Sequence, residues 1–300
     1  MKYLGFVCLA GQLVASATTE FSRRTLVIPI HREADDRPLV WGGLIQNGRA
    51  LARVSQMAIS TTESTYVTRR SQAAASNPSL GIMIRGTEGE YFVAESFHET
   101  MSMIVSPTLP MWFGCELSRH VNAVEFEQNS ITLNPSLANR TLSDFVPVGT
   151  LQLQAEIAFE HEGVFEGSYP LKISWGDVSA SSIPRVQFDR LSALITELGS
   201  SLVDDNGGKV IRGRNCYTRL TENLPNLHVR ISNHVELVFT PQDYIERTDW
   251  DHFCALRIMP DSTTTSDEIS SEIVLTNTLL QHVGMVFDYH NNRIGFFDPS

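Results

Sequence analysis

Few residues of this chain have types and spacings that could do chemistry. Four cysteines stand at Cys8, Cys115, Cys216 and Cys254, and no CxxC or HExxH spacing occurs, so no metal or cofactor is expected. Cys216 and Cys254 enclose alternating apolar residues, and a bridge closing a loop of that size would add on the order of 3–4 kcal/mol. Cys115 is then left as a free or intermolecular thiol. Asn139-Arg140-Thr141 spells a glycosylation sequon, which matters only in a secretory setting. Arg69-Arg70 is a dibasic pair that reads either as a processing site or as a solvated charge pair.

The N-terminus supplies that setting. Residues 1–17 run from Met1-Lys2 through the apolar stretch Tyr3 to Val14 to the small residues Ala15-Ser16-Ala17, the order of a secretory signal. No later apolar run approaches the roughly 20 residues a membrane span needs. A secreted or lumenal product of the secretory and endolysosomal pathway is therefore expected, in a space where cysteines pair. Across the 300 residues, 23 basic groups face 34 acidic ones. A net charge of −11 argues against nucleic acid or anionic lipid as partner.

The elements that must position any site are mostly strands. Thr25 to Ile30, Tyr91-Phe92-Val93, Met101 to Val105, Leu151 to Ile157, His228 to Ile231, Val235 to Phe239, Met285 to Phe287 and Arg293 to Phe297 are all strand-length apolar runs. One helix interrupts them: after Pro184, residues Phe188, Leu191, Ile195 and Leu198 share a face and Gly199 supplies a stop. Ser71 to Ser79 reads as a linker and Pro260 to Glu272 as a solvated loop. No internal repeat is evident. These divisions predict a signal peptide at 1–17, a pro-segment-like region and linker at 18–88, a remnant N-terminal lobe at 89–175 and a C-terminal lobe at 176–300.

The last hundred residues carry a resemblance. Phe239-Thr240-Pro241-Gln242-Asp243-Tyr244-Ile245, then Cys254, Ile273-Val274-Leu275, Val286-Phe287-Asp288 and Asn292-Arg293-Ile294-Gly295-Phe296 resemble the C-terminal lobe of pepsin-family aspartic peptidases. Ser182-Ile183-Pro184 with Phe188, Leu191 and Ile195 is similar to the helix that follows that family's second catalytic loop. The N-terminal half matches more loosely. Met103 to Trp112 falls where the family writes its first catalytic loop, and Phe159 with Gly163 resembles the flap that covers the substrate. The resemblance implies an all-β, pepsin-like, two-lobed fold with a reduced N-terminal lobe and a nearly complete C-terminal lobe. The flavour is closest to beta-secretase-like members.

Aspartic peptidases need two carboxylates that share one proton, so that one activates water while the other polarises the scissile carbonyl. Each sits in a tight Asp-Thr/Ser-Gly turn, and this chain contains neither Asp-Thr-Gly nor Asp-Ser-Gly. By the resemblance Ser106 occupies the first aspartate position, with Pro107 and Thr108 after it. At the second position, ungapped counting back from Pro184 places Trp175, while a two-residue gap places Asp177. The alternative register at Asp189 lies inside the expected helix. Phe159 lacks the hydroxyl that the flap tyrosine would donate. Leu275-Thr276 stands where the family has leucine-glycine. Ser106 precedes Asp177 by 71 residues, a short interval for the family.

Three readings follow. The leading one is a secreted aspartic endopeptidase homologue that binds peptide or protein without cutting it. The second is a genuine aspartic-type endopeptidase represented by an incomplete sequence. The third is a non-enzymatic binding module that uses the C-terminal β-lobe, with Cys115 bridging to another chain.

Overall fold

The computed structural model describes residues 25–32, 38–46, 49–50, 55–60, 80–87, 91–95, 111–112, 121–138, 145–147, 153–160, 165–205, 208–232, 235–261 and 271–297. The expected signal peptide, Arg69-Arg70, the Ser71 to Ser79 linker, Ser106, Cys115, Asn139, Gly163 and most of the Pro260 to Glu272 loop lie outside them. Among the described residues no helix is long and apolar enough to cross a membrane.

The chain forms two compact units, one comprising residues 1–140, 284–292 and 299–300, the other residues 141–283 and 293–298. Strands are numbered along the chain. The first ten are β1 (Leu26–Pro29), β2 (His31–Arg32), β3 (Pro38–Gln46), β4 (Arg49–Ala50), β5 (Ser55–Ser60), β6 (Leu80–Arg85), β7 (Tyr91–Glu95), β8 (Met111–Trp112), β9 (Ala123–Phe126) and β10 (Ser130–Leu133). Then come β11 (Phe145–Pro147), β12 (Gln154–Phe159), β13 (Glu166–Ser174) and β14 (Ser181–Ile183). Helix α1 (Arg185–Glu197), β15 (Ser201–Asp205), β16 (Gly208–Arg212), helix α2 (Cys216–Asn223), β17 (Leu227–Ile231) and β18 (Val235–Phe239) follow. The chain continues through α3 (Pro241–Tyr244), β19 (Ile245–Arg247), β20 (Phe253–Leu256), β21 (Ile258–Pro260), β22 (Ile273–Thr276) and α4 (Asn277–Leu280), and ends in β23 (Gly284–Asp288) and β24 (Arg293–Phe297).

In the first unit, one sheet follows the order β7-β6-β3-β5-β8, with β2 and β4 also on β3. A second group pairs β1 with β10, β10 with β9, and β9 with β23. Leu26 and Ile28 of β1 and Ile131 and Leu133 of β10 are buried while Val27 is exposed, the two-residue period of a sheet with one apolar face. Residues 18–88, expected to be pro-segment-like and linker, thus carry β1 to β6. Leu26–Pro29 is in register with Ser130–Leu133 inside the folded unit.

In the second unit, a sheet runs β18-β17-β12-β13-β22-β14-β21, and a four-stranded sheet runs β15-β16-β20-β19. The boundary expected between residues 175 and 176 falls inside this unit, because β12 and β13 pair with β17 and β22. Strand β11 pairs with β24, and Arg293 lies 4.0 Å over the Phe145 ring. The two units are nearly equal in length, and they differ in their connections. Between β5 and β6 the first has residues 61–79, whereas between β13 and β17 the second has residues 175–226, with α1, β15, β16 and α2. The stretch between β5 and β6 is thus shorter than the one between β13 and β17, and the first unit starts well before residue 89, where the remnant N-terminal lobe was expected to begin.

Helix α1 forms where its apolar stripe requires. Phe188, Leu191 and Ile195 are buried along one face. Pro184 precedes the first turn, where its missing N–H costs nothing, and its carbonyl accepts from the amides of Gln187 and Phe188, both at 3.0 Å. Gly199 ends the helix at φ 70°, a conformation open to glycine. Gln187 shares the buried face, and neither of its amide atoms finds a partner among the described residues. Cys216 in α2 and Cys254 in β20 form the expected disulfide, with Cα atoms 6.0 Å apart. Tyr244 is buried and its hydroxyl donates to the Pro225 carbonyl at 2.7 Å. Burial, with a smaller push from Asp243, raises its pKa.

A charged stripe crosses β12, β17 and β18, where Glu156, Arg230 and Glu236 are cross-strand partners. His228 Nδ1 meets Glu236 Oε1 at 2.7 Å, and Arg230 donates to Glu236 Oε2 at 3.2 Å. The hydrogen bond to His228, then Arg230, hold the Glu236 carboxyl below its ordinary value of 4.5 against an opposing effect of burial. A carboxylate depressed by folding stabilises the fold above its ordinary pKa, and that contribution disappears as the pH falls through the depressed value. Glu236→Gln is accordingly expected to flatten the acid side of the stability curve, losing less melting temperature than the wild type between about pH 5 and about pH 3. Thermal scans that stay parallel over that range would remove the stripe from the account.

Candidate functional site

Strand β13 delivers the second expected catalytic loop. Leu171 to Ser174 pair in parallel with Ile273 to Thr276 of β22, and the chain then turns through Trp175-Gly176-Asp177. The amide of Asp177 donates to the Ser174 carbonyl at 3.2 Å. Gly176 sits at φ 92°, a value that side chains with a Cβ rarely adopt. Ser174 is 2% exposed and Trp175 1%. The residue that closes the strand is therefore Ser174, and the glycine of the turn is Gly176.

Sequence counting placed Trp175 or Asp177 at the end of this strand and passed over Ser174. The signal for it was Gly176. A glycine two residues after a strand end is what the Asp-Thr/Ser-Gly turn needs, and Ser174-Trp175-Gly176 supplies it at the end of β13.

Asp177 is half-buried and turned in on its own loop. Its Oδ1 accepts the Ser179 amide at 2.9 Å, an Asx-type turn, and its Oδ2 accepts from the Ser174 hydroxyl at 3.4 Å. Its carbonyl accepts the Asn277 amide at 2.9 Å, which ties the loop to the start of α4.

Beneath the loop lies a cluster of hydroxyls. Thr276 Oγ1 donates to the Ser179 carbonyl at 2.7 Å and accepts from Thr278 at 2.7 Å and Ser181 at 3.1 Å. Ser181 Oγ in turn accepts the Thr276 amide at 3.0 Å. With these directions each hydroxyl donates once and no donor is wasted. Thr276 fills the position where the resemblance has glycine, and its hydroxyl is the hub of the cluster. Asn277 Oδ1 is buried without a hydrogen-bond partner among the described residues.

This arrangement can hold a loop and present a hydroxyl. Proton sharing needs a second carboxylate beside the first, and the loop offers Asp177 alone. A serine nucleophile needs a base within hydrogen-bond reach, and the Asp177 carboxylate stands at the far edge of that reach from Ser174. Among the described residues no group of three His, Cys, Asp or Glu side chains could hold a metal ion.

The other sequence-derived positions lie elsewhere. Phe159, placed by the resemblance over a substrate, is 1% exposed at the end of β12 and paired with Leu227 of β17, so its ring belongs to the core of the second unit. Asp189 is on α1, exposed, with Arg185 at 3.9 Å. The segment matched to the first catalytic loop ends in Met111–Trp112, which forms β8, the parallel partner of β5.

No protein-family model matches the chain, and no curated protein sequence matches it. Solved structures do match, with the fold in common. An aspartic proteinase from Irpex lacteus is similar at 12% identity and a TM-score of 0.61, over 92% of this chain and 98% of that one. Basic 7S globulin from soybean is similar at 11% identity and a TM-score of 0.62, over 93% and 97%. The protein named EDGP is similar at 12% identity and a TM-score of 0.57, over 92% and 95%. The chain therefore has the pepsin-like aspartic proteinase fold.

Proposed function

We propose that this chain is a secreted or lumenal pepsin-fold protein that binds peptide or protein segments and does not hydrolyse them. The observation that supports this most is the loop after β13: it ends its strand on a buried serine, and its nearest carboxylate, Asp177, is already bound to its own backbone and to that serine. The fold is shared by a protein named a proteinase and by one named a globulin, so the fold by itself does not require proteolysis. The signal-like order of residues 1–17 and the Cys216–Cys254 bridge support the compartment.

The test is an assay of the purified mature protein against an acid-denatured protein substrate at about pH 3 to 5, the range in which a carboxylate pair shares its proton. No cleavage is expected. Cleavage abolished by a peptide transition-state inhibitor of aspartic peptidases would overturn the proposal in favour of a genuine endopeptidase.

A further inference from the structure

We infer that Ser60 is the counterpart in the first unit of Ser174 in the second, so that each unit ends the same strand on a serine where carboxylate-pair hydrolysis would need an aspartate. The inference deepens the proposed function and rests on it for its functional meaning. Its evidence is the pairing of the strands.

Strand β5 pairs antiparallel with β3 and parallel with β8. Strand β13 pairs antiparallel with β12 and parallel with β22. On the far side, β3 pairs with β6 and β6 with β7, as β12 pairs with β17 and β17 with β18. The path β7-β6-β3-β5-β8 thus repeats as β18-β17-β12-β13-β22. The same holds outside these sheets: β1 pairs with β10 as β11 pairs with β24.

A match by chance is hard to sustain because the repeat includes its least common member. Parallel ladders are the minority type and need a crossover connection, yet one occurs at the equivalent place in each unit. The register within those ladders fixes the residues. Ile59 pairs with Met111 and Ser60 with Trp112; Ile173 pairs with Leu275 and Ser174 with Thr276. Both strands close on Ile-Ser at the last rung. The chain then reads Ser60-Thr61-Thr62 in one unit and Ser174-Trp175-Gly176 in the other.

Ser106, which counting along the sequence placed at this position, precedes Met111 in the segment that leads into the partner strand β8. A residue there cannot end β5.

The consequence is that changing one residue cannot rebuild a proton-sharing pair in this chain. Both strand ends carry a hydroxyl that stays neutral across the range where carboxylates titrate.

Ser60→Asp and Ser174→Asp variants of the mature protein test the assignment by thermal unfolding at about pH 7 and about pH 4. An ionised carboxylate at a position as buried as Ser174, 2% exposed, is costly, and protonation relieves it. Ser60→Asp and Ser174→Asp are expected to lower Tm at the higher pH by about 5 °C or more and to regain part of that at the lower pH. A Ser60→Asp variant within about 1 °C of wild type at both pH values would overturn the assignment. Should an aspartate variant fail to fold at the higher pH, Ser60→Asn and Ser174→Asn carry the comparison. They are expected to lower Tm to a similar extent and equally at both pH values, and a silent Ser60→Asn beside a damaging Ser174→Asn would likewise overturn it. Because none of these measurements reads cleavage, proteolytic activity would sink the proposed function and leave the strand equivalence standing, and the converse also holds.

Discussion

Replacing Trp175 by alanine is expected to cost about 3–5 kcal/mol of stability, the range for emptying a large buried aromatic site. Trp175 is 1% exposed and ranks among the largest fully buried side chains. It lies between Ser174 at the strand end and Gly176 in the turn, so its indole anchors the root of the loop that carries Asp177. Truncation leaves a void at a fully buried position, and the cost rises with the volume that the surroundings fail to fill. Denaturant titration of Trp175→Ala against wild type reads the loss. A shift below about 1 kcal/mol would mean that the loop is not anchored through this ring. Trp175→Phe keeps part of the volume, and a loss of about half that of the alanine variant is expected.

The second large effect belongs to the disulfide. Cys216 and Cys254 are 38 residues apart in sequence and both are fully buried. Removing the cross-link frees the unfolded chain to spread over more conformations, at a cost of up to about 4 kcal/mol for a loop of this length. The double variant Cys216→Ser/Cys254→Ser is expected to melt well below the oxidised protein. Its melting temperature should not respond to added thiol, while that of the wild type falls towards it. Equal melting of wild type with and without reductant, after reduction has been verified by thiol titration, would sink this expectation.

What the sequence revealed and what it hid have physical explanations. Helix α1 was legible because Phe188, Leu191 and Ile195 repeat at helical spacing over 13 residues, with Pro184 and Gly199 as punctuation. Strand β17 was legible because Leu227, Val229 and Ile231 point inward while His228 and Arg230 point outward. Helix α2 was not, since only Cys216 and Leu220 of its eight residues are buried, too few to show a period. The site was half legible. Gly176 and Pro184 flanked it, but a single added residue between the turn and Pro184 moved the count from Ser174 to Trp175. The duplicated strand plan stayed hidden for a different reason. Pairing, not residue identity, defines it, and connections of unequal length separate its members.

The far end of the chain has a role in assembly that its position in the strand list conceals. Strand β9 of the first unit takes β23 as a neighbour, and β11 of the second takes β24. During synthesis on the ribosome, neither unit can be finished until residues 284–297 have left the exit tunnel. Phe145 must wait for Gly295, its partner across the ladder. Closing contacts of such long sequence separation is slow, and the waiting strands present unpaired backbone for the whole of that interval. A nascent chain of this design is most exposed to wrong partners until residues 284–297 emerge, which places the demand for chaperone protection in that interval.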